Sequence, residues 1–314
     1  MARRAVTAAG VTVTGPASSQ RAMTETDLHP ELRPLLFSIA YRMIGSVSEA
    51  EDIVQEAFLR YHRAQPTEVE NPKAYLSAVT TRLAIDHLRS ARARREEYVG
   101  PWLPEPLLTD EGAGDPSAHA ELADSLSLAF LVLLERLSPV ERAAFLLREV
   151  FSYPYDEIAE VIGKSEANAR QLVTRARRHV DDERPRFEVD RAAHEELTDR
   201  FLEATQNGDT EGLIELLAED VYTYTDGGGK AQAPRRTVHG REHVARFMVG
   251  IARPDRGITP VTMHPVLVNG VPGRVARDAE GNAVAVLTLD VADGLVTAVR
   301  IVANPDKLAH LRAP

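Results

Sequence analysis

Apolar residues recur every three or four positions from Asp27 to Arg95 and again from Leu122 to Val180, and they alternate with polar ones in several stretches after Val221. Helical spacing buries one stripe and alternation buries one face of a strand, so the chain reads as helices followed by a mixed unit. In the first stretch LRPLLFSIAYRMIG, SEAEDIVQEAFLRYHR and KAYLSAVTTRLAIDHLRSARARR, broken at Pro66 and at Asn71-Pro72, predict three or four packed helices. The second closes on YDEIAEVIGKSEANARQLVTRARRHV, two helical patterns around a glycine. Beyond Pro185, RAAHEELTDRFLEATQ and DTEGLIELLA predict two more helices. REHVARFMVGIA predicts another among the strand patterns VYTYT, TPVTMHPVLVNG, NAVAVLTLDVADG and LVTAVRIVAN. That order predicts an α+β cone, a curved antiparallel sheet with helices over its concave face.

Composition places the boundaries between these blocks. Residues 1–26 carry early Arg but no run of consecutive apolar residues, so they read as a disordered extension rather than a signal peptide, with Met23 a second candidate start. Residues 27–95 form the first helical domain. Residues 96–121 hold four Pro, three Gly and seven acidic residues with no Lys or Arg, which predicts a linker or an extended peptide. Residues 122–185 form the second helical domain and 190–314 the cone. The 314 residues, 44% hydrophobic and 27% charged, suffice for several buried cores, and no stretch has the apolar length of a membrane span. Zero Cys excludes disulfides and thiolate chemistry and fits a reducing cytoplasm. A net charge of −10 argues against a chain that coats nucleic acid indiscriminately, while leaving room for local basic patches.

The segment Tyr155–Val180 carries such a patch. Ile158, Ala159 and Ile162 make one short stripe, Gly163 supplies the φ > 0 of a sharp interhelical turn, and Ser165 is placed to cap the next helix. Ala169, Leu172, Val173 and Ala176 make its buried stripe, leaving Asn168, Arg170, Gln171, Thr174, Arg175, Arg177 and Arg178 on other faces. Asn and Gln can pair with adenine, Arg can fork onto guanine, and further cations can hold phosphates, so the layout is that of a DNA-reading helix-turn-helix. An αα-hairpin with a solvated basic face has the same pattern.

The first helical block has two faces of opposite sign. In SEAEDIVQEAFLR the polar side carries Glu51, Asp52, Gln55 and Glu56, which offers an acidic surface to a basic partner. The next helix, from Tyr75 through Thr81, Arg82 and Arg89 to Arg92, combines cations, hydroxyls and an aromatic. Such a helix can follow a nucleic-acid backbone and meet unstacked bases.

Taken in order, AEDIVQEAFLR, AYLSAVTTRLAIDHLR and LSPVERAAFLLREVFSYPYDEIAEVIGKSEANARQLVTRARR resemble the sigma factors of bacterial RNA polymerase. The resemblance is to the extracytoplasmic-function group, which keeps only sigma domains two and four. WLPEP at Trp102–Pro106, DGGGK at Asp226–Lys230 and NPDKL at Asn304–Leu308 are similar to signatures of members fused to a SnoaL-like domain, whose fold is the NTF2-like cone. The implied fold class is multidomain, two all-α sigma domains plus an α+β SnoaL-like cone. The implied partners are core RNA polymerase, through its clamp helices and flap, and promoter DNA, both as duplex and as melted single strand. Asp52, Gln55 and Glu56, with Phe58, would dock on the clamp helices; Tyr75, Thr81, Arg82, Arg89 and Arg92 would read the opened minus-10 strand. Ser165, Asn168, Arg170, Gln171, Arg175 and Arg178 would read the minus-35 duplex. Arg82 and Asn168 depart from the residues frequent in the family, which bears on promoter sequence rather than on role. The resemblance also implies a cytoplasmic, nucleoid-associated protein that needs no cofactor or metal, with the acidic linker lying in a polymerase channel.

Trp102, Asp226, Gly228, Lys230, Asn304, Asp306 and Lys307 are expected to form a regulatory contact between the cone and the sigma domains or linker. Proline on either side of WLPEP extends the backbone and presents Trp102 and Leu103, and the three glycines allow close approach of another surface. A flexible hairpin tip and a terminal cap are the plainer readings of DGGGK and NPDKL. SnoaL-like cones also include cyclases and isomerases, for which Tyr222, Tyr224, Asp226, His239, His243, His264 and Asp290 are the titratable candidates. No spacing among them fixes a catalytic pair, so no retained catalysis is expected. A ligand-responsive helix-turn-helix regulator that does not replace sigma remains the competing function.

Overall fold

The computed structural model describes residues 29–64, 69–96, 98–109, 125–181, 191–253 and 260–311. The extension 1–26 and the linker portion Asp110–Pro116 lie outside the described residues, as does the side chain of Arg92.

The first helical block folds as α1 (Arg33–Ile44), α2 (Val47–Arg63) and α3 (Pro72–Glu96). Gly45 ends α1 with φ 73, and the hydroxyl of Ser46 accepts from Glu49 N to cap α2. Leu36, Tyr41 and Ile44 of α1, Val54, Phe58 and Tyr61 of α2, and Leu76, Ala84 and Leu88 of α3 interlock. The second block comprises α4 (Leu128–Leu134), α5 (Pro139–Phe145), α6 (Tyr155–Ile162) and α7 (Glu166–Asp181). A Ser138–Glu141 capping box starts α5, and one π-helical turn, Leu146–Val150, extends it. The two blocks share an apolar cluster, because Phe130, Leu134, Phe145, Ala176 and Val180 pack with the core of α1–α3. Buried cations tie them further. Arg42 donates to Ser125 O at 3.1 Å and Arg142 to Met43 O at 2.5 Å, and burial lowers these guanidinium pKa values to about 10 and about 9.

The cone runs α8 (Arg191–Asn207), α9 (Thr210–Leu216), β2 (Leu217–Asp226), β3 (Val238–His239), α10 (Arg241–Ala252), β4 (Thr262–Val268), β5 (Val271–Arg277), β6 (Ala283–Ala292) and β7 (Leu295–Val302). Its sheet has the order β1-β4-β5-β6-β7-β2-β3, where β1 is Leu108–Thr109 of the linker. The sheet differs from the expected antiparallel one in being mixed: β2 and β7 run parallel, with Tyr222 opposite Ala298 and Asp226 opposite Val302. Three strands escape the sequence pattern, among them the two-residue β3. β5 is buried at five of its seven positions, so it lacks alternation, and its Arg274 is accommodated by an ion pair with Asp199 of α8. β1 forms only because β4 offers an edge to pair with.

The two sheet faces have different partners. Val221, Leu287, Leu289, Val299 and Ile301 pack against Leu197 and Phe201 of α8 and Val244 and Met248 of α10. On the other face Tyr224, Val275, Val286 and Val302 meet Leu103 of the linker, Leu128 of α4, and Leu308 and Leu311 near the C-terminus. The sheet is thus covered on one side by its own helices and on the other by the linker, α4 and the C-terminal residues after β7.

Candidate functional site

The helix-turn-helix is built as its sequence pattern requires. Gly163 takes φ 66 between α6 and α7, and Ser165 Oγ accepts from Asn168 N at 3.3 Å. Ala169, Val173, Ala176 and Val180 are buried, while Leu172 is only half-buried. Asn168, Arg170, Gln171, Thr174, Arg175, Arg177 and Arg178 are exposed, and five of the α7 side chains, Arg170, Gln171, Thr174, Arg175 and Arg178, line a shallow depression. Arg170 is not a free cation. It donates to Glu166 at 2.5 Å, and its guanidinium carbon lies 4.3 Å from the centre of the Tyr155 ring.

On α2, Asp52 and Gln55 are exposed and Glu56 is half-buried and paired with Arg60 at 2.8 Å, whereas Phe58 is 1% exposed and belongs to the core instead of the polar side. Along α3, Tyr75 packs against Tyr61 with ring centres 5.7 Å apart, Thr81 is fully buried and donates to Ser77 O, and Arg89 is exposed beside Asp86. Arg82 reaches across to the helix-turn-helix, donating to Val161 O at 3.0 Å and Glu160 O at 2.9 Å. Those carbonyls lie in the last turn of α6, where a cation meets the negative end of the helix dipole; Glu160 O also accepts from Gly163 N at 3.3 Å. Tyr153 and Ser77 join the same two segments through a buried hydroxyl pair at 2.8 Å.

The motifs WLPEP, DGGGK and NPDKL meet around Asp226. This fully buried carboxylate accepts from Leu103 N at 2.8 Å, Tyr98 Oη at 2.5 Å, Lys307 Nζ at 2.7 Å and its own loop's Gly228 N at 3.1 Å. Lys307 also donates to Leu103 O and lies 5.0 Å from the Tyr98 ring centre and 4.3 Å from that of Trp102. Asn304 donates to Tyr98 Oη at 2.8 Å, and Lys230 pairs with Asp306 at 2.5 Å on the surface. Burial first, and the bond to Asp226 second, raise the pKa of the Tyr98 hydroxyl well above the ordinary phenol value. Gly228 faces the Asn304 amide so closely that no Cβ fits between them.

Glu105 of WLPEP and several residues outside the motifs extend this contact into a strap between the linker, the cone and the first sigma domain. Glu105 Oε1 accepts from Ser46 Oγ at 2.8 Å and Oε2 from Val47 N at 2.7 Å, placing a carboxylate on the N-terminus of α2. A Cβ on Gly45 would lie 2.9 Å from the Trp102 ring, so the α1–α2 turn and the linker are in direct contact. Asn269, in the β4–β5 turn with φ 54, is completely buried; it accepts from Leu107 N at 2.9 Å and donates to Tyr41 Oη at 2.8 Å and Leu126 O at 3.0 Å. Tyr41 in turn donates to Glu105 O at 2.6 Å. Asn-Gly after an alternating stretch marks the turn in the sequence, yet nothing local reveals that the Asn side chain bonds α1, the linker and the approach to α4 together.

Of the titratable candidates in the cone, Asp290 is buried against Arg300 at 2.5 Å, Tyr222 and Tyr224 meet edge to face at 5.3 Å, and His239 lies beside Tyr222. His264 bonds Thr262 on the surface and His243 is exposed, so neither joins that group. No cluster of metal-ligating side chains occurs among the described residues, and no helix among them is long and apolar enough to cross a membrane.

Comparison with known proteins bears on each part. Sigma-70 region 2 matches residues 28–94 and Sigma-70, region 4 matches residues 127–180. The extracytoplasmic-function RNA polymerase sigma factor SigJ of Mycobacterium tuberculosis is 42% identical over 284 residues, covering 88% of this chain and 90% of the relative. The probable sigma factor SigI of the same species is 35% identical, covering 90% and 93%. The crystal structure of SigJ superimposes with a TM-score of 0.70 at 38% identity over 89% of this chain and 96% of that one. The chain belongs to the extracytoplasmic-function sigma factors of bacterial RNA polymerase, with the two sigma domains followed by an α+β domain.

Proposed function

We propose that the residue-level division of labour of this initiation factor runs along three surfaces. The exposed acidic side of α2 around Asp52, Gln55 and Glu56 docks on the clamp helices of core polymerase, and a second polymerase contact falls to the flap. Tyr75, Arg89 and the basic end of α3 hold the melted minus-10 strand, and α7 reads the minus-35 duplex with Asn168, Arg170, Gln171, Arg175 and Arg178. The SnoaL-like domain regulates these steps by holding the linker and the sigma domains in a closed arrangement, and it acts through contact with no reaction of its own. One observation carries the regulatory reading: Asp226, Lys307 and Asn269 of the cone bond the very linker whose Glu105 sits on α2. Arg82 supports it, since bonding to Val161 and Glu160 occupies a minus-10 candidate within the chain.

Run-off transcription tests the reading. Core polymerase with no other sigma factor, supplied with the full chain and a library of promoters, is expected to start transcripts from a defined subset. Replacing Asp52, Gln55 and Glu56 together by Ala is expected to abolish co-elution with core polymerase while the circular dichroism of the chain is retained. A chain that binds promoter DNA but never supports initiation by core polymerase would instead be a ligand-responsive helix-turn-helix regulator.

A further inference from the structure

Tyr155 lies at the start of α6, outside the residues that the sequence assigns to base reading. Its ring meets two cations: the guanidinium carbon of Arg170 at 4.3 Å and that of Arg148 at 4.7 Å from the ring centre. Arg148 is itself fixed, donating to Tyr153 O at 3.0 Å. Arg170 is held from a second direction by Glu166, one helical turn before it on α7. A planar guanidinium that lies on a ring and is gripped by a carboxylate has little rotational freedom, yet it has five N–H donors and the two contacts do not use them all. Its side chain is 58% exposed and borders the depression lined by Gln171, Thr174, Arg175 and Arg178. Arg side chains ordinarily lose rotamer freedom when they fork onto a guanine; one already fixed loses less.

We propose that Tyr155 is a positioning residue for minus-35 recognition, its ring setting the plane from which Arg170 addresses one base pair in the major groove. The inference rests on α7 being the minus-35 reader. The contacts belong to the ring, so phenylalanine serves and an aliphatic residue of similar bulk does not. Arg148 meets the ring from the middle of the π-helical turn that extends α5, so the arrangement links α5, α6 and α7.

The test uses the full chain with core polymerase and a promoter library randomised across the minus-35 element, comparing sequences enriched by wild type, Arg170→Ala, Tyr155→Leu, Tyr155→Phe and the double variant Tyr155→Leu/Arg170→Ala. Arg170→Ala is expected to lose preference at one base position, by roughly 10-fold or more, which is the range of a bidentate contact. Tyr155→Leu is expected to lose preference at that same position, the double variant no more than Arg170→Ala alone, and Tyr155→Phe to keep it. Loss spread evenly over all positions in Tyr155→Leu, or equal behaviour of the Leu and Phe variants, would overturn the positioning role. If Arg170→Ala alters no position, α7 reads the duplex without Arg170 or not at all, and the underlying assignment falls first.

Discussion

At the scale of single residues, the strap depends on a few buried groups whose partners come from distant parts of the chain. Asp226 and Lys307 are 0% and 9% exposed at their side chains, so neither charge is solvated and each relies on the other. Asp226→Ala removes the counter-charge of the buried Lys307 ammonium and the acceptor of the Leu103 amide, which is expected to cost the closed arrangement about 3–5 kcal/mol. Hydrogen exchange at Leu103, fast in the variant and slow in the wild type, checks this; equal protection would show that the carboxylate is dispensable. His194 of α8 is a buried imidazole whose Nε2 has no protein partner, and burial lowers its pKa, partly opposed by a hydrogen bond with the Leu289 backbone and by nearby Asp290. The unfolded chain binds that proton near pH 6.5 and the folded one only below it. Stability is therefore unaffected above that pH and is lost as pH falls below it, by at most about 1.4 kcal/mol per unit. In urea melts of wild type and His194→Leu, the stability difference between the two chains should hold steady around neutral pH and shift against wild type as pH falls below 6.5.

At the scale of elements, the amphipathic helices were legible because each buries a single stripe; the α6–α7 pair even showed its turn through Gly163 and its cap through Ser165. β5 was not legible, because both its faces are covered and its Arg274 reads as a surface residue until Asp199 is seen beside it. β1 was hidden for a different reason: Leu108–Thr109 become a strand only when β4 supplies the ladder, and no local pattern encodes a partner 160 residues away. The motifs WLPEP, DGGGK and NPDKL meet at Asp226, but Tyr41 and Asn269 carry ordinary local signals and matter only through tertiary bonds, and the bond of Glu105 to the start of α2 is not encoded in WLPEP itself. Arg82 belongs to this scale because it ties α3 to α6. Arg82→Ala removes its bonds to the carbonyls of Glu160 and Val161 and is expected to loosen the packing of the two sigma domains, by about 1–3 kcal/mol for a charge-assisted pair of bonds. A longer distance between spin labels placed on α2 and α7 would register the change, and an unaltered distance would assign the contact no weight.

At the scale of the whole molecule, the cone uses one sheet face for its own helices and the other for the linker and α4, so release of the linker would uncover Val275, Val286 and Val302 and free the edge of β4. Exposed apolar surface and an unpaired edge are costly alone, which favours the closed form until polymerase and DNA supply other contacts for the sigma domains. If the closed arrangement regulates initiation, the linker must leave the cone for initiation to proceed. Because the chain has no cysteine, a single pair can be introduced cleanly, and Leu108 and Val268 face each other across the β1–β4 ladder at a separation suited to a disulfide. Run-off transcription with core polymerase and the Leu108→Cys/Val268→Cys chain, oxidised beforehand and then reduced, is the most direct measurement. The oxidised chain should give little or no transcript and recover on reduction; transcript at the reduced level from the oxidised chain would contradict the account.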